Sequence, residues 1–298
     1  MTERGARTLA QAKINLSLRV LDKEPDGFHS IDTMFLRLDL GDEVNLRVTE
    51  KARTLHCEAM QDQPQEENLA YRAAALYAEE TKWPRGFAID IKKEIPIGGG
   101  LGGGSADAAA VLRILNKLSP NPLPLDGVLG LAARLGSDVP FPASDFVMAL
   151  ATGRGEKLVG VPPLPSREIR LYLPPFGINT GEAYALLDTQ RSGRARKGSA
   201  LTAEMFADWD SAAKASVNDF EAVVRPRWPA IDALLARGEL SATFYRMTGS
   251  GSTVFELPGL STRAVRESTE PTEPLHPKGT RIITTRTSES VVPLVLVD

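Results

Sequence analysis

The chain has 298 residues, of which 42% are hydrophobic and 24% charged, with a formal net charge of −3. That length is generous for a single core, so two domains are expected, and the charge balance gives no support to a nucleic-acid or membrane surface. Cys57, the only cysteine, excludes an internal disulfide and fits a reducing compartment; its expected role is a small buried side chain. The N-terminal "MTERGARTLAQAK" is charged and has no signal-peptide core, and no apolar run approaches about 18 residues. A cytoplasmic location is expected. Monomer and homodimer both remain open.

"AKINLSLRV" (12–20) alternates apolar and polar residues, the signature of a half-buried strand. "PDGFHS" reads as a turn built on Pro25, Asp26 and Gly27. Strand-like runs follow at "IDTMFLRL" and "EVNLRV", then "NLAYRAAALYAEETK" (68–82) places Leu69, Ala73, Leu76 and Tyr77 at helical spacing. "FAIDIKKEI" alternates as a strand and leads into "PIGGGLGGGSADAAAVL" (96–112). A helix follows over "SADAAAVLRILNKL", with Ser105 or Asp107 favouring its N-terminal end. A second, "LDGVLGLAARL", stops at Gly136 before "SDVPF".

Strand and turn chemistry returns over 145–160, and a boundary near 155 divides the chain into domains 1–155 and 156–298. The second half mixes strands ("EIRLYLP", "ATFYRM", "STVFEL", "VVPLVLV") with helices near 181–188, 203–214 and 219–236. "QRSGRARKGS" (190–199) and "STEPTEPLHPKG" (268–279) read as a solvated basic loop and a proline-punctuated connector.

The glycine run admits three phosphate-binding templates and a purely structural turn. A P-loop needs a lysine immediately before its Ser/Thr, and Gly104 stands there before Ser105. Gly98, Gly100 and Gly103 satisfy G-x-G-x-x-G formally. However, the acidic residue and second strand expected about 20 residues on are absent from "SPNPLPLDG". A structural turn does not require so many residues without side chains. What remains is a loop that wraps a triphosphate with backbone N–H groups and feeds a helix N-terminus.

In that form Pro96, Gly100, Leu101, Gly102, Gly104, Ser105 and Ala106 resemble the central ATP motif of the galactokinase, homoserine kinase, mevalonate kinase and phosphomevalonate kinase superfamily. "AKINLSL" and "MTGSGSTVF" (247–255) stand where its flanking motifs are expected. Within it, "PDGFHSIDTMF", "ENLAYRAA", "GGGLGGGSADAAAVL", "LGSDVPF" and "NDFE" together resemble the 4-diphosphocytidyl-2-C-methyl-D-erythritol kinase family, over residues 12–256. Residues 258–298 carry no motif of that family. The resemblance implies an α+β, two-domain small-molecule kinase fold, with a ribosomal-protein-S5-like first domain and a ferredoxin-like second. It implies ATP with Mg2+ as cofactor, and a cytidine-diphosphate-linked methylerythritol as substrate in the non-mevalonate isoprenoid pathway.

The same resemblance assigns Asp138 as the base for the substrate hydroxyl and Lys13 as the lysine paired with it. Alternation along the strand supports the second assignment. If Ala12 and Ile14 are the buried face, Lys13 and Asn15 point together towards a cleft, because a lysine driven into a core would be costly. ATP is expected on Pro96, Ile97, Gly98, Gly99, Gly100, Leu101, Gly102, Gly103, Gly104, Ser105 and Ala106. Asn68 would line the adenine pocket, and Lys93 would reach phosphate or ribose.

The three histidines, at 29, 56 and 276, offer no metal-ligand spacing. Mg2+ would therefore arrive with ATP, touching Ser105. On the substrate side stand Asn15, His29, Thr180, Gly249, Ser250 and Gly251. Phe28 and Tyr184 are expected to sandwich the cytosine ring; the family often has tyrosine at the first position and phenylalanine at the second. The alternatives are a kinase for another alcohol such as homoserine or mevalonate, a non-catalytic nucleotide-binding relative, and a nicotinamide oxidoreductase. The presence of both Lys13 and Asp138 speaks against lost chemistry.

Overall fold

A computed structural model describes residues 4–192, 200–241, 243–261 and 277–297. The chain opens with a long hairpin, β1 (Gly5–Lys23) and β2 (His29–Thr49), followed by β3 (Arg53–Cys57), α1 (Leu69–Thr81) and β4 (Gly86–Lys92). Then come α2 (Gly103–Leu118), α3 (Leu125–Leu135), α4 (Pro140–Ala143), β5 (Met148–Thr152) and β6 (Lys157–Val161). The second half holds β7 (Glu168–Leu173), α5 (Thr180–Arg191), α6 (Trp209–Ala215), α7 (Glu221–Val224) and α8 (Pro229–Ser241). It closes with β8 (Thr243–Met247), β9 (Val254–Ser261), β10 (Arg281–Arg286) and β11 (Val295–Val297).

The mixed α+β class is as expected. The first sheet runs β11-β1-β2-β4-β3, with β5 pairing β2 and β6 pairing β5. The second runs β10-β7-β9-β8, antiparallel throughout. In chain order that is 4-1-3-2, the ferredoxin-like arrangement. A cut at residue 155 would therefore sever the β5–β6 hairpin, and β11 rejoins the first sheet from the far end of the chain. Strand pairing thus corrects the expected boundary: 157–161 and 295–297 belong with the N-terminal sheet.

The alternation in β1 is realised on two buried faces. Ala10, Ala12, Ile14 and Leu16 pack into the main core with Ala108, Val111 and Leu115 of α2, while Gln11, Lys13, Asn15 and Ser17 form a buried polar row on the other side. The runs "IDTMFLRL" and "EVNLRV" are one continuous strand, β2. The helix expected over 203–214 is a 3-10 turn (Ala203–Phe206) and then α6, whose N-terminus Asp208 caps through Ser211 N. The one over 219–236 is split around Pro226 into α7 and α8, because proline cannot donate within a helix. Of "VVPLVLV" only 295–297 pair as a strand. The loop 190–199 and the connector 268–279 lie outside the described residues, except for 190–192 and 277–279. His276 is also outside them.

Candidate active site

Between the sheets lies a cleft of about 820 Å³. Lys13 and Asn15 of the polar row on β1 form its floor, and Gly102 of the glycine loop packs against the Lys13 side chain. Lys13 N donates to Leu101 O at 3.0 Å, while Leu101 itself is buried in the main core. Gly98, Gly100 and Gly102 take φ of +78°, +77° and +74°, which only glycine adopts readily. At Gly102 the reason is also one of space: a Cβ there would come within 3.0 Å of Lys13 Cγ. α2 begins at Gly103 with no side-chain cap. This corrects the expected capping by Ser105 or Asp107. The first N–H groups of the helix have no intrahelical acceptor, and a Cβ added at Gly104 would meet nothing within 4 Å. Unpaired N–H groups around an open space suit a triphosphate. Gly103 and Ser105 line the same cleft, whereas Ala106 is buried in the main core and serves packing.

Lys13 Nζ lies 3.3 Å from Asp138 Oδ2 and donates to Asn15 Oδ1 at 2.8 Å. The lysine side chain is 7% exposed and the carboxylate 40% exposed, so the pair sits at the cleft wall with its acidic end open. Asp138 follows α3 and precedes α4, and Arg37 anchors α4 and the turn after it. That buried guanidinium donates to the carbonyls of Phe141, Pro142, Ser144 and Phe146. Burial lowers Arg37 to about 9, which leaves it charged at neutral pH.

Lys93 departs from expectation. Its ammonium is enclosed behind the loop, 2.5 Å from Asp42 Oδ2 and 2.7 Å from Asp107 Oδ2, and so is not free to reach a nucleotide. Asp42 also accepts from the backbone N–H groups of Glu94 and Ile95. Burial is the main cause that pushes the Asp107 carboxyl up to about 7; Asp42 adds to it and Lys93 opposes it. Asn68 caps α1 by accepting from Ala70 N at 2.9 Å. With Lys93, Pro96 and Ile97 it also lines a smaller cavity of about 260 Å³ beside the loop, as do Gly99 and Leu101.

Besides Asn15 on the floor, Phe28, His29, Thr180, Tyr184, Gly249 and Ser250 all line the cleft. Thr180 Oγ1 and Ser250 Oγ are 3.0 Å apart, and Gly249 N donates to Asn15 Oδ1 at 3.1 Å. Gly251 is not on the lining: a Cβ there would meet Met247 Sδ at 2.9 Å, so it turns the chain from beneath. Phe28 and Tyr184, expected to enclose the cytosine ring, have other partners for their rings in the protein. Tyr184 stacks on His29, with centroids 4.8 Å apart, and Phe220 meets it edge-on. Burial, with Asp138 nearby, pushes its hydroxyl up to about 12. Phe28 is 59% exposed and carries the Arg154 guanidinium over its ring; that guanidinium also pairs with Glu24 and Asp26.

Three contributors escaped the sequence reading. Asn218 of "NDFE" donates to Met247 O and Gly249 O. Thr248 Oγ1 accepts from Asn15 N. Asp188 holds His29 at 2.7 Å. The first two lie inside quoted motifs, which was their only signal; Asp188 had none.

A glycine loop opening a helix, with a lysine–aspartate pair across from it between these two sheets, defines a small-molecule kinase of the GHMP class. The profile for the GHMP kinases N terminal domain matches residues 68–150. The chain is 38% identical over 272 residues to the 4-diphosphocytidyl-2-C-methyl-D-erythritol kinase of Solibacter usitatus, covering 86% of this chain and 82% of that one. It is 37% identical over 251 residues to the enzyme of that name from Geobacillus kaustophilus, covering 83% and 86%. A crystal structure of 4-(cytidine 5'-diphospho)-2C-methyl-D-erythritol kinase superposes with a TM-score of 0.70 at 32% identity, over 85% of this chain and 90% of that one. Homoserine kinase from Cytophaga hutchinsonii gives the same TM-score at 17% identity over 99% and 98%, which speaks for the fold alone. The chain belongs to the 4-diphosphocytidyl-2-C-methyl-D-erythritol kinase family.

Proposed function

We propose that the chain transfers the γ-phosphoryl group of ATP to the 2-hydroxyl of 4-diphosphocytidyl-2-C-methyl-D-erythritol, with Lys13 and Asp138 as its catalytic residues. The observation that carries the reading is the 3.3 Å Lys13–Asp138 pair, facing a cleft that the glycine loop also lines. Asp138 accepts the hydroxyl proton, and the Lys13 ammonium stabilises negative charge growing on the alcohol oxygen. Asn15 fixes the lysine from the same strand. The N–H groups at the start of α2 hold the phosphates, and Gly104 leaves them room. Mg2+ bound with the nucleotide would neutralise charge on its phosphates, and Ser105, which lines the cleft, would be the side chain to touch it.

Support for the cytidyl substrate comes from the names of the relatives and from the aromatic and histidine side chains at the other end of the cleft. Among the described residues no helix is long and apolar enough to cross a membrane. A coupled ADP-release assay with the cytidyl substrate, homoserine and mevalonate tests the reading. Turnover confined to the first is expected; preference for either of the others would replace it.

A further inference from the structure

The Asp138 carboxylate is held by few contacts of its own. Among the described residues Lys13 is the only side chain that pairs with it, so its position depends on the backbone on either side. Val139, the next residue, is fully buried and opens a hydrogen-bonded turn. Val139 O accepts from Ala143 N at 3.2 Å, and Pro140 O accepts from Ser144 N at 3.0 Å. So short a helix leaves its last carbonyls without helical partners.

Arg37 takes those carbonyls. Its Nη2 donates to Phe141 O, Pro142 O and Ser144 O at 3.0, 3.1 and 2.9 Å, and its Nε donates to Phe146 O at 2.7 Å. The guanidinium also lies over the Phe141 ring, 5.0 Å from its centroid, and Phe141 stacks on Phe35 at the same distance. Both ends of this network return to Lys13. Arg37 is the cross-strand partner of Lys13 in the β1–β2 hairpin, and the Lys13 ammonium lies 5.2 Å from the centre of the Phe35 ring. Arg37 itself is 1% exposed and does not line the cleft, so it acts only through what it holds.

We propose that Arg37 is a positioning residue for phosphoryl transfer. From the strand position opposite Lys13 it grips the far end of the turn that starts at Val139, and so fixes the Asp138 carboxylate against the Lys13 ammonium. The inference rests on the roles proposed above for that pair. A guanidinium suits the task because its planar fork meets several carbonyls at once, whereas an ammonium is a point charge on a flexible stem. Proton transfer from a substrate hydroxyl tolerates little drift: a misplacement of about 1 Å costs on the order of 100-fold.

The test uses the full chain with ATP and the cytidyl substrate, well below the melting temperature of each variant. Arg37→Lys keeps the charge and gives up the fork. It should lower kcat by roughly 10- to 100-fold while KM for both substrates stays within about twofold. Added to Asp138→Asn it should cost less than about threefold more, because an amide leaves no base to position. Phe141→Leu is the control for general loosening, since it removes a ring and leaves the Arg37 donors and their carbonyls in place. It should lower Tm with kcat within about threefold of the parent. Should Arg37→Lys not fold, Arg37→Gln, which keeps an amide donor, is held to the same readings; failure of both to fold would assign Arg37 to stability alone and overturn the inference. A kcat near the parent's in a folded Arg37 variant, a loss that multiplies in full with that of Asp138→Asn, or an equal loss in Phe141→Leu overturns it too, and leaves the kinase reading intact. Near-normal turnover in Asp138→Asn would instead remove the base on which it rests.

Discussion

On the proposed reading Lys13 and Asp138 carry the chemistry, and the structure sets how each is to be removed. The Lys13 stem packs on Gly102, so truncation to alanine would open a gap under the loop; Lys13→Met keeps the stem and removes only the charge. Asp138→Asn and Lys13→Met should each reduce kcat by about 10²–10⁴, and the double variant should be far less than additive, because the two act on one proton. Calorimetric ATP affinity should hold in both, and near-normal turnover in Asp138→Asn would remove the assignment. Asp107 offers a second residue-scale test, through stability. Its folded pKa, about 7, lies above the ordinary 3.8. The native state therefore binds the proton more tightly, and the stability this confers, complete at low pH, is lost as pH rises from about 4 to about 7. Asp107→Asn mimics the protonated acid and should escape that loss. Its melting temperature relative to the parent should rise across this window; a gap independent of pH would mean that Asp107 is ionised throughout.

Among the elements, the glycine loop and β1 were the most legible from sequence, because their signals are local. Alternation along 12–20 was enough to put Lys13 and Asn15 on one face, and the glycines announced a backbone that a ligand or a side chain approaches closely. Lys93 shows where such reading stops. Its place before the loop suggested a reach to phosphate or ribose, but Asp42, 51 residues earlier in the chain, is brought to it by the pairing of β2 with β4. The stacking of His29 on Tyr184 was missed for a similar reason, since the two residues are distant in the chain. The loop's own prediction separates packing from binding. At Gly102 an alanine would need φ of +74° and would press on Lys13, so it should lower both stability and turnover. A Cβ at Gly104 would meet nothing within 4 Å, and alanine in a helix is favoured by up to about 1 kcal/mol over glycine. Gly104→Ala should therefore melt no lower than the parent yet bind ATP at least about tenfold more weakly, equivalent to about 1.4 kcal/mol. Unchanged affinity would move the phosphates away from the start of α2.

For the whole molecule, β1 acts as a seam between the two sheets. It pairs with β2 and β11 in the first sheet, and it is also bonded to the segment before α7 and to the turn after β8. Leu18 N donates to Val217 O at 2.7 Å, Ser216 Oγ donates to Leu16 O at 2.5 Å, and Asn15 N donates to Thr248 Oγ1 at 3.0 Å. Thr248 is fully buried, and its hydroxyl also reaches Asn15 Oδ1 and Gly100 O, so one side chain joins the three motifs that form the cleft. Little of this was visible beforehand, since the partners are some 200 residues apart and only the folded chain brings them together. A seam of buried hydrogen bonds should make the two sheets unfold as one unit, giving a single calorimetric transition. Thr248→Val keeps the shape but strands the Asn15 N–H without an acceptor, at a cost of about 1–3 kcal/mol, which in a chain of this length lowers Tm by roughly 2–10 °C. Because the same bond aligns Asn15 under Lys13, kcat should fall along with Tm. Two separate transitions in the parent would show that the sheets fold independently, and an unshifted Tm in Thr248→Val would show that the seam adds nothing to their union.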